Sequence, residues 1–252
     1  MTFQEFLTKW FGKRIQELTV EKIDGLHFVP DKIHQNYAPN HDKCHDCAAR
    51  IFRQDIPFWL GSHKNKKLMV IAQDAGKGEE DYGLNTVFSI HNAHIDKEAY
   101  FRASHRHKGY FDLFNNLIGH ANFLEEIYFT DIVKCAYSTG SLGSFSEAIC
   151  KNELFYEIQE VNPNALILMG KPAQDTFLKL ATENSLRQTP IDSFQCRINE
   201  KSKINFSHFQ IDKFDVFLIP HLIGNLHIAS EFKSDFDVFK TKTIDYIRSQ
   251  IC

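Results

Sequence analysis

Short apolar runs alternate with helix-like patterns along most of the chain. Four largely apolar runs are typical of strands buried on both faces of a sheet. These runs are residues 67–72, 127–133, 165–170 and 215–220. Between and after them, apolar residues recur every three or four positions, which predicts helices. The predicted helices are 110–118, 147–161, 172–180 and about 229–251. The alternation predicts an α/β fold with three layers, α/β/α, around a central four-stranded parallel sheet.

Two segments fall outside this alternation. Near the N-terminus, apolar residues spaced three to four apart, from Phe3 to Phe11, would form one face of a helix. We therefore expect an N-terminal helical arm over residues 1–35, followed by one α/β domain over residues 36–252. The stretch 184–208 is polar and irregular, which indicates either an insertion or a β-hairpin on the surface.

Composition narrows the class of protein. The 252 residues include 23 phenylalanines, which predicts a core packed largely with phenylalanine rings. The net charge of −3 gives no general basic signal, so a nucleic-acid surface would have to be a local patch. No apolar run approaches the roughly 18 residues of a membrane span. The N-terminal residues lack the basic and apolar regions of a secretory signal. We expect a cytoplasmic monomer with no membrane partner.

Four of the six cysteines form a pattern that suits a metal. Cys44 and Cys47 are a close pair, whereas Cys135 and Cys150 are distant singles, one after a predicted strand and one in a predicted helix. In a chain without an export signal, cysteines are more often thiols or metal ligands than disulfides. A close pair with two distant thiolates suits a tetrahedral site that fixes an N-terminal loop to the core.

Polar residues follow the predicted strands. In a parallel sheet, functional side chains gather at the carboxyl ends of the strands. Those ends carry Gln73 and Asp74, Asp131 and Lys134, Gly170, and His221. A carboxylate, an amide and an imidazole at one edge could perform acid–base or hydrogen-bonding chemistry. Loop residues are often polar only because loops are exposed to solvent. For each of these residues taken alone, that non-functional explanation stays open.

Read together, these segments resemble the uracil-DNA glycosylase superfamily, most closely its iron–sulfur branch. That branch has a Cys-x-x-Cys pair, a strand ending in Gly-Glu-Ala-Pro-Gly, an acidic loop with a phenylalanine, a Tyr-x-Thr-Asn-x-x-Lys-Cys strand, a later cysteine, Leu-Gly-x-x-Ala and His-Pro-Ser. The corresponding segments here are 44–47, 72–76, 79–83 with Phe88, 128–135, Cys150, 168–173 and 220–221. Their order and spacing fit over roughly residues 40–230. The Lys-Cys strand with the four cysteines is the most specific part.

Three motifs depart from that pattern. The first reads Ala72-Gln73-Asp74-Ala75-Gly76, whose Gln-Asp pair resembles the Gly-Gln-Asp-Pro-Tyr of the metal-free uracil-DNA glycosylases. The Asn that reads uracil is replaced by Asp131, and His-Pro-Ser is reduced to the segment 221–225. An Asn amide matches the O4 and N3–H of uracil, whereas an ionised Asp offers acceptors alone. Asp131 therefore suits a base with two donors, or it must be protonated in an apolar pocket.

The resemblance implies roles for individual residues. Asp74 would stabilise positive charge on the sugar and orient water, and His221 would donate a hydrogen bond to the departing base. Phe88 would stack on the flipped base. The residues implied to contact the substrate are Gln73, Gly76, Phe88, Asp131 and Asn225. Simpler roles stay open: Asp74 as an N-cap, Phe88 as a core ring, and His221 as a hydrogen-bonded loop histidine. His227 competes with His221 for the role of donor.

The resemblance also implies a cofactor. It indicates a [4Fe–4S] cluster held by Cys44, Cys47, Cys135 and Cys150, although zinc accepts four thiolates equally well. His41 and His45 are alternative ligands, and four unrelated buried thiols are the remaining alternative.

The implied activity is base excision. We expect a DNA glycosylase that binds DNA with a flipped base and hydrolyses the N-glycosidic bond of a damaged or deaminated base, uracil or a related one. The basic segment 102–108 could contact phosphates or form a solvated loop. One alternative is a catalytically inactive iron–sulfur protein that binds nucleic acid or a partner. Another is an enzyme that acts on a different nucleobase or nucleotide.

Overall fold

The structure is a computed structural model that describes residues 21–23, 26–28, 58–60, 62, 64–72, 105–119, 123–132, 154–155, 157–222 and 227–251. Its strands are β1 Glu21–Ile23, β2 Leu26–Phe28, β3 Phe58–Leu60, β4 Leu68–Ala72, β5 Ile127–Asp131, β6 Ala165–Met169, β7 Gln188–Arg197, β8 Lys203–Ile211 and β9 Phe214–Ile219. Its helices are α1 His105–Ile118, α2 Phe123–Glu126, α3 Lys171–Glu183 and α4 Lys233–Ile251. A 3-10 helix, Ser230–Phe232, precedes α4, and residues 154–155 and 157–161 are also helical.

The centre of the sheet is parallel. Strands β5, β4, β6 and β9 lie side by side in that order, and each neighbouring pair runs in the same direction. They are the four strands that the apolar runs predict, and their side chains are almost all buried. Burial on both faces explains why they read as continuous apolar runs rather than alternating ones. The α/β class is therefore confirmed.

The sheet is wider than the sequence predicts. The sequence predicts only the four parallel strands of the centre, and five antiparallel strands extend them to a sheet of nine among the described residues. Strands β3, β2 and β1 continue it beyond β5, and β8 and β7 continue it beyond β9. The added strands satisfy backbone groups that an edge would otherwise leave unpaired.

Part of the prediction of an N-terminal helical arm is wrong. Residues 21–23 and 26–28 are strands that pair with each other, with Glu21 opposite Phe28 and Ile23 opposite Leu26. Strands of three residues are too short to show an alternating pattern, so the sequence gives no strand signal there. Residues 1–20, 24–25 and 29–35 of the arm lie outside the described residues.

The polar segment 184–208 is a β-hairpin, as one of its two interpretations predicts. Strand β7 pairs with β8, and β8 then pairs with β9, so the hairpin belongs to the sheet rather than lying on it. The pairing of β7 shifts register between Pro190 and Asp192, and Ile191 between them is 52% exposed. Strand β7 is the last strand in the described sheet order.

Alternate side chains of the central strands build two separate cores. On one face, Leu68, Val70 and Phe129 belong to a core that includes residues of α1 and α4. On the other face, Met69 and Ile71 belong to a core that includes residues of α3 and the helical segment 157–161. Helices therefore cover both faces of the sheet, which confirms the three-layer arrangement. In the part of the chain described, no helix combines the length and apolar character that crossing a bilayer demands.

Phenylalanine rings fill much of the first core, as the composition predicts. The rings of Phe114 and Phe129 meet edge to face at 4.8 Å between centroids, and those of Phe194 and Phe206 stack at 4.5 Å. Fully burying one such side chain contributes about 2–3 kcal/mol. Phe206 also stacks on Phe217 of β9 at 6.3 Å, so the rings fix α1 and the hairpin to opposite ends of the parallel sheet.

Candidate active site

The four parallel strands end at one level. Ala72 of β4 pairs with Asp131 of β5, and Met169 of β6 pairs with Ile219 of β9. The pairing of Ile71 with Leu168 joins the two halves in the same register. Adjacent strands are about 4.8 Å apart, so β5 and β9 are separated by roughly 14 Å. The carboxyl edge therefore carries Asp131 at one end and the residues that follow Ile219 at the other.

Asp131 is fixed by backbone pairing at this edge. It is the last residue of β5 and is half-buried, and the next residue, Ile132, donates its N–H to the carbonyl of Ala72 at 2.9 Å. Side chains alternate along a strand, so Asp131 lies on the same face as Phe129 and opposite to Thr130. The carboxyl group is thus on the sheet face covered by α1 and α4.

A buried polar network supports β5 from its other face. The Glu157 side chain is fully buried and accepts hydrogen bonds from the Tyr128 hydroxyl at 2.8 Å and from Thr130 Oγ1 at 2.9 Å. Burial raises the pKa of Tyr128 well above its ordinary value of 10, and the charge and hydrogen bond of Glu157 raise it further. Tyr128 therefore stays protonated and donates to Glu157 across the physiological pH range.

Sequence reasoning missed Glu157. The residue follows Leu154 and precedes Ile158 and Val161, all of them almost completely buried. A carboxylate among apolar positions of a helix that covers a sheet is the signal that could have revealed it, because a buried charge requires partners. Its partners, Tyr128 and Thr130, lie in β5 just before Asp131, so the network stabilises that end of the strand.

His221 packs against Gly170 at the other end of the edge. A Cβ atom added to Gly170 would lie 2.3 Å from Nε2, 2.7 Å from Cδ2 and 3.1 Å from Cε1 of the His221 ring. Gly170 has a φ of +83°, which side-chain-bearing residues rarely adopt. Its N–H donates to the carbonyl of Ile219 at 2.9 Å, and the Gln174 amide donates to the same carbonyl at 2.7 Å. His221 is half-buried, whereas the competing His227 is exposed, which favours His221.

Two of the predicted site residues fall within the described part of the chain. Asp131 and His221 lie at the carboxyl edge of the same sheet, as predicted. The predicted residues outside the described part are Gln73, Asp74, Gly76, Phe88, Asn225, Cys44, Cys47, Cys135 and Cys150. Their roles stay predictions.

Cys196 behaves as a core residue. It is buried in β7, and its thiol donates to the carbonyl of Arg197 at 3.1 Å. Burial raises the pKa of the Cys196 thiol, and the nearby charge of Asp235 adds to the effect. Within the described ranges, no group of three or more His, Cys, Asp or Glu side chains is arranged to hold a metal ion.

A comparison with protein families gives a match. The family model described as "Uracil DNA glycosylase superfamily" matches residues 58–238. The matched region begins at β3 and ends within α4, and so includes the whole parallel centre of the sheet, Asp131 and His221. It covers well over half of the chain. No curated protein matches.

Removing the Tyr128 hydroxyl should destabilise the protein in a pH-dependent way. We expect Tyr128→Phe to lower the free energy of unfolding by about 1–3 kcal/mol near pH 7, because Glu157 loses a buried donor. The folded-state pKa is raised, so this contribution is present below pH ~10 and is lost as pH rises further. Urea unfolding between pH 7 and 11 should show the variant and wild type converging above pH ~10.

A matched variant separates the loss of a donor to Glu157 from the titration of Tyr128. Thr130→Val also removes a donor to Glu157 but leaves Tyr128 in place, so its stability should keep the alkaline decline of the wild type. Equal stability of Tyr128→Phe and wild type at pH 7 would contradict the role of the network.

Proposed function

The chain belongs to the uracil DNA glycosylase superfamily, and on that premise we propose that it hydrolyses the N-glycosidic bond of a damaged or deaminated DNA base, uracil or a related one. The observation that carries the proposal is the family match over the entire parallel sheet, including both polar ends of its carboxyl edge. Members of this superfamily are generally N-glycosylase hydrolases. We further propose a cytoplasmic monomer that acts on DNA with the target base flipped out of the stack.

The reaction needs little covalent chemistry from the protein. The bond between C1′ and the base nitrogen breaks, its electron pair leaves with the base, and the sugar becomes oxocarbenium-like. Water then adds hydroxide to C1′, and its remaining proton ends on the departed base. A carboxylate near the sugar and a donor near the base both stabilise this charge separation.

We assign these two roles to Asp74 and His221. In sequence, Asp74 comes two residues after Ala72, the end of β4, and His221 two residues after Ile219, the end of β9. Because those strand ends are level, the chain leaves the sheet toward the same edge at both positions. Asp74 would orient water and stabilise the sugar cation, while His221 would donate to the base anion.

The base would be read by residues at the same edge. Phe88 would stack on it, and Gln73, Gly76 and Asn225 would line the pocket with Asp131. An ionised Asp131 accepts from a base N–H but repels a carbonyl oxygen. The proposed pocket therefore favours a base that presents donors at that position, or uracil when Asp131 is protonated.

We propose a [4Fe–4S] cluster on Cys44, Cys47, Cys135 and Cys150, with zinc as the alternative. The support is the resemblance of the Lys-Cys strand and of the cysteine spacing. Bound there, the metal would join the N-terminal segment to the strand and helix that carry the later cysteines, and so would contribute folding free energy.

The metal is testable on the purified protein. Anaerobically purified protein should be brown, with absorption at about 400 nm and about four irons per chain. Cys135→Ala should lose the metal and much of the stability, because the site closes a long loop. Cys196→Ala and Cys252→Ala are the controls and should retain it. Stoichiometric zinc without iron would contradict the cluster.

Excision is testable on a panel of oligonucleotides that each carry one lesion, including uracil, hypoxanthine and xanthine, by strand nicking after alkali. On whichever lesion is cut, Asp74→Asn should lower the rate by roughly 10²-fold or more while DNA binding changes little. The control is Asp212→Asn, an exposed residue of the β8–β9 turn with a φ of 54° that Asn also adopts. If Asp74→Asn excises the base at an unchanged rate, the active site lies elsewhere.

Base preference is testable at Asp131. We expect weak or no excision of uracil from duplex DNA, and Asp131→Asn should improve it by about 1–3 kcal/mol of transition-state stabilisation. If Asp131 is instead protonated and donates to O4, excision of uracil should fall as pH rises through its pKa. Robust excision of uracil that does not depend on pH would contradict both forms. If neither the wild type nor Asp131→Asn excises any of the lesions, the alternative of a binding protein without catalytic activity is favoured.

A further inference from the structure

We propose that Gly170 is a positioning residue for His221, and that Gln174 holds the strand end from which His221 projects. This inference deepens the proposed function, because it rests on the role given to His221. Nothing in the sequence pattern links the three residues, which lie on the β6–α3 connection, on α3 and after β9.

The contact leaves no space for a side chain at position 170. A Cβ atom would lie 2.3 Å from His221 Nε2 and 2.7 Å from Cδ2, well inside the ordinary contact distance of carbon and nitrogen. The atoms it meets belong to a planar ring with two side-chain torsions, so relief requires the whole imidazole to rotate away. The tip of the imidazole thus occupies the volume that a side chain would take.

The backbone beside the ring is fixed from two directions. The carbonyl of Ile219 accepts from both the Gly170 N–H at 2.9 Å and the Gln174 amide at 2.7 Å. The backbone N–H of Gln174 in turn donates to the Gly170 carbonyl at 3.2 Å, which closes the first turn of α3. On the other side of His221, Leu222 is buried in the core shared with α1 and α4. The connection before α3 and the end of β9 therefore move together, and His221 with them.

Precision at this position matters for the proposed chemistry. A donor stabilises a departing base only when it is held close to the productive geometry, and a displacement of about 1 Å can cost roughly 10²-fold in rate. A glycine that admits the ring and an amide that fixes the strand end provide that constraint without contacting the substrate.

The test compares Gly170→Ala with Gly119→Ala. Both glycines have positive φ, +83° and +79°, but Gly170 also has a ψ of 155°, a conformation found almost only in glycine, so its substitution carries more backbone strain. At Gly119 the added Cβ meets the end of the flexible Arg248 side chain, which can move aside. The effect of Gly119→Ala should therefore not depend on His221, whereas the part of the Gly170→Ala effect that depends on the imidazole reports displacement of His221.

The first measurement needs no substrate. Each glycine substitution is made in wild type and in His221→Ala, and the four Tm losses are compared. We expect the Tm loss from Gly170→Ala to be larger by roughly 4 °C or more in wild type than in His221→Ala, and the loss from Gly119→Ala to be the same in both. Equal losses from Gly170→Ala in the two backgrounds would overturn the proposal.

The second measurement uses the lesion that the protein cuts. Gly170→Ala should lower kcat by tenfold or more with KM for the oligonucleotide unchanged, and should cause no further loss in His221→Ala. Gln174→Glu, which keeps the side-chain shape but places an acceptor against the Ile219 carbonyl, should lower kcat in the same way and covers the case in which Gly170→Ala does not fold. Additive losses would overturn the proposal.

The two measurements separate this inference from the proposed function. If no lesion is cut but the Tm loss from Gly170→Ala becomes smaller when His221 is removed, the contact is confirmed while the proposed reaction fails. If a lesion is cut and the losses are additive in both measurements, the reaction stands and the positioning role is wrong.

Discussion

The level register of the four parallel strands is the constraint on which the rest of the structure depends. Because β5, β4, β6 and β9 pair in step, their carboxyl ends meet at one edge, and the chain leaves each strand there from a fixed position. A slip of one residue would turn every buried side chain to the opposite face. The two cores, one on each face, maintain this register. Hydrophobic packing therefore also determines the geometry of the polar edge.

The sequence predicts the centre of this arrangement better than its margins. Doubly buried strands such as Ala165–Met169 are apolar throughout, and that signal is local. Strand Phe58–Leu60 has three residues, and Lys203–Ile211 alternates buried and exposed positions among polar neighbours. The short strand pairs with β2 and β5, which are far along the chain, so no local pattern encodes it. The long strand pairs with its chain neighbours β7 and β9, and its polar residues left both a hairpin and an insertion open.

The same distinction holds at the candidate site. Asp131 and His221 could be predicted because they come directly after apolar runs. The support beneath them could not: Glu157 meets Tyr128 and Thr130 across about thirty residues, and Gly170 meets His221 across about fifty. A lone Glu on an apolar helix face hints at a partner without naming it, and a glycine gives no hint that a ring will occupy its empty side.

The margin of the sheet at β7 has a consequence for how this protein behaves among its own copies. A long terminal strand is a template on which another chain can add by backbone pairing. Here the register shift between Pro190 and Asp192 interrupts the strand, the proline lacks an N–H, and the carboxylate of Asp192 accepts from the N–H of Ser193 at 2.7 Å. An incoming strand would meet a broken row of donors beside a negative charge. The hairpin that completes the fold thereby also resists its polymerisation.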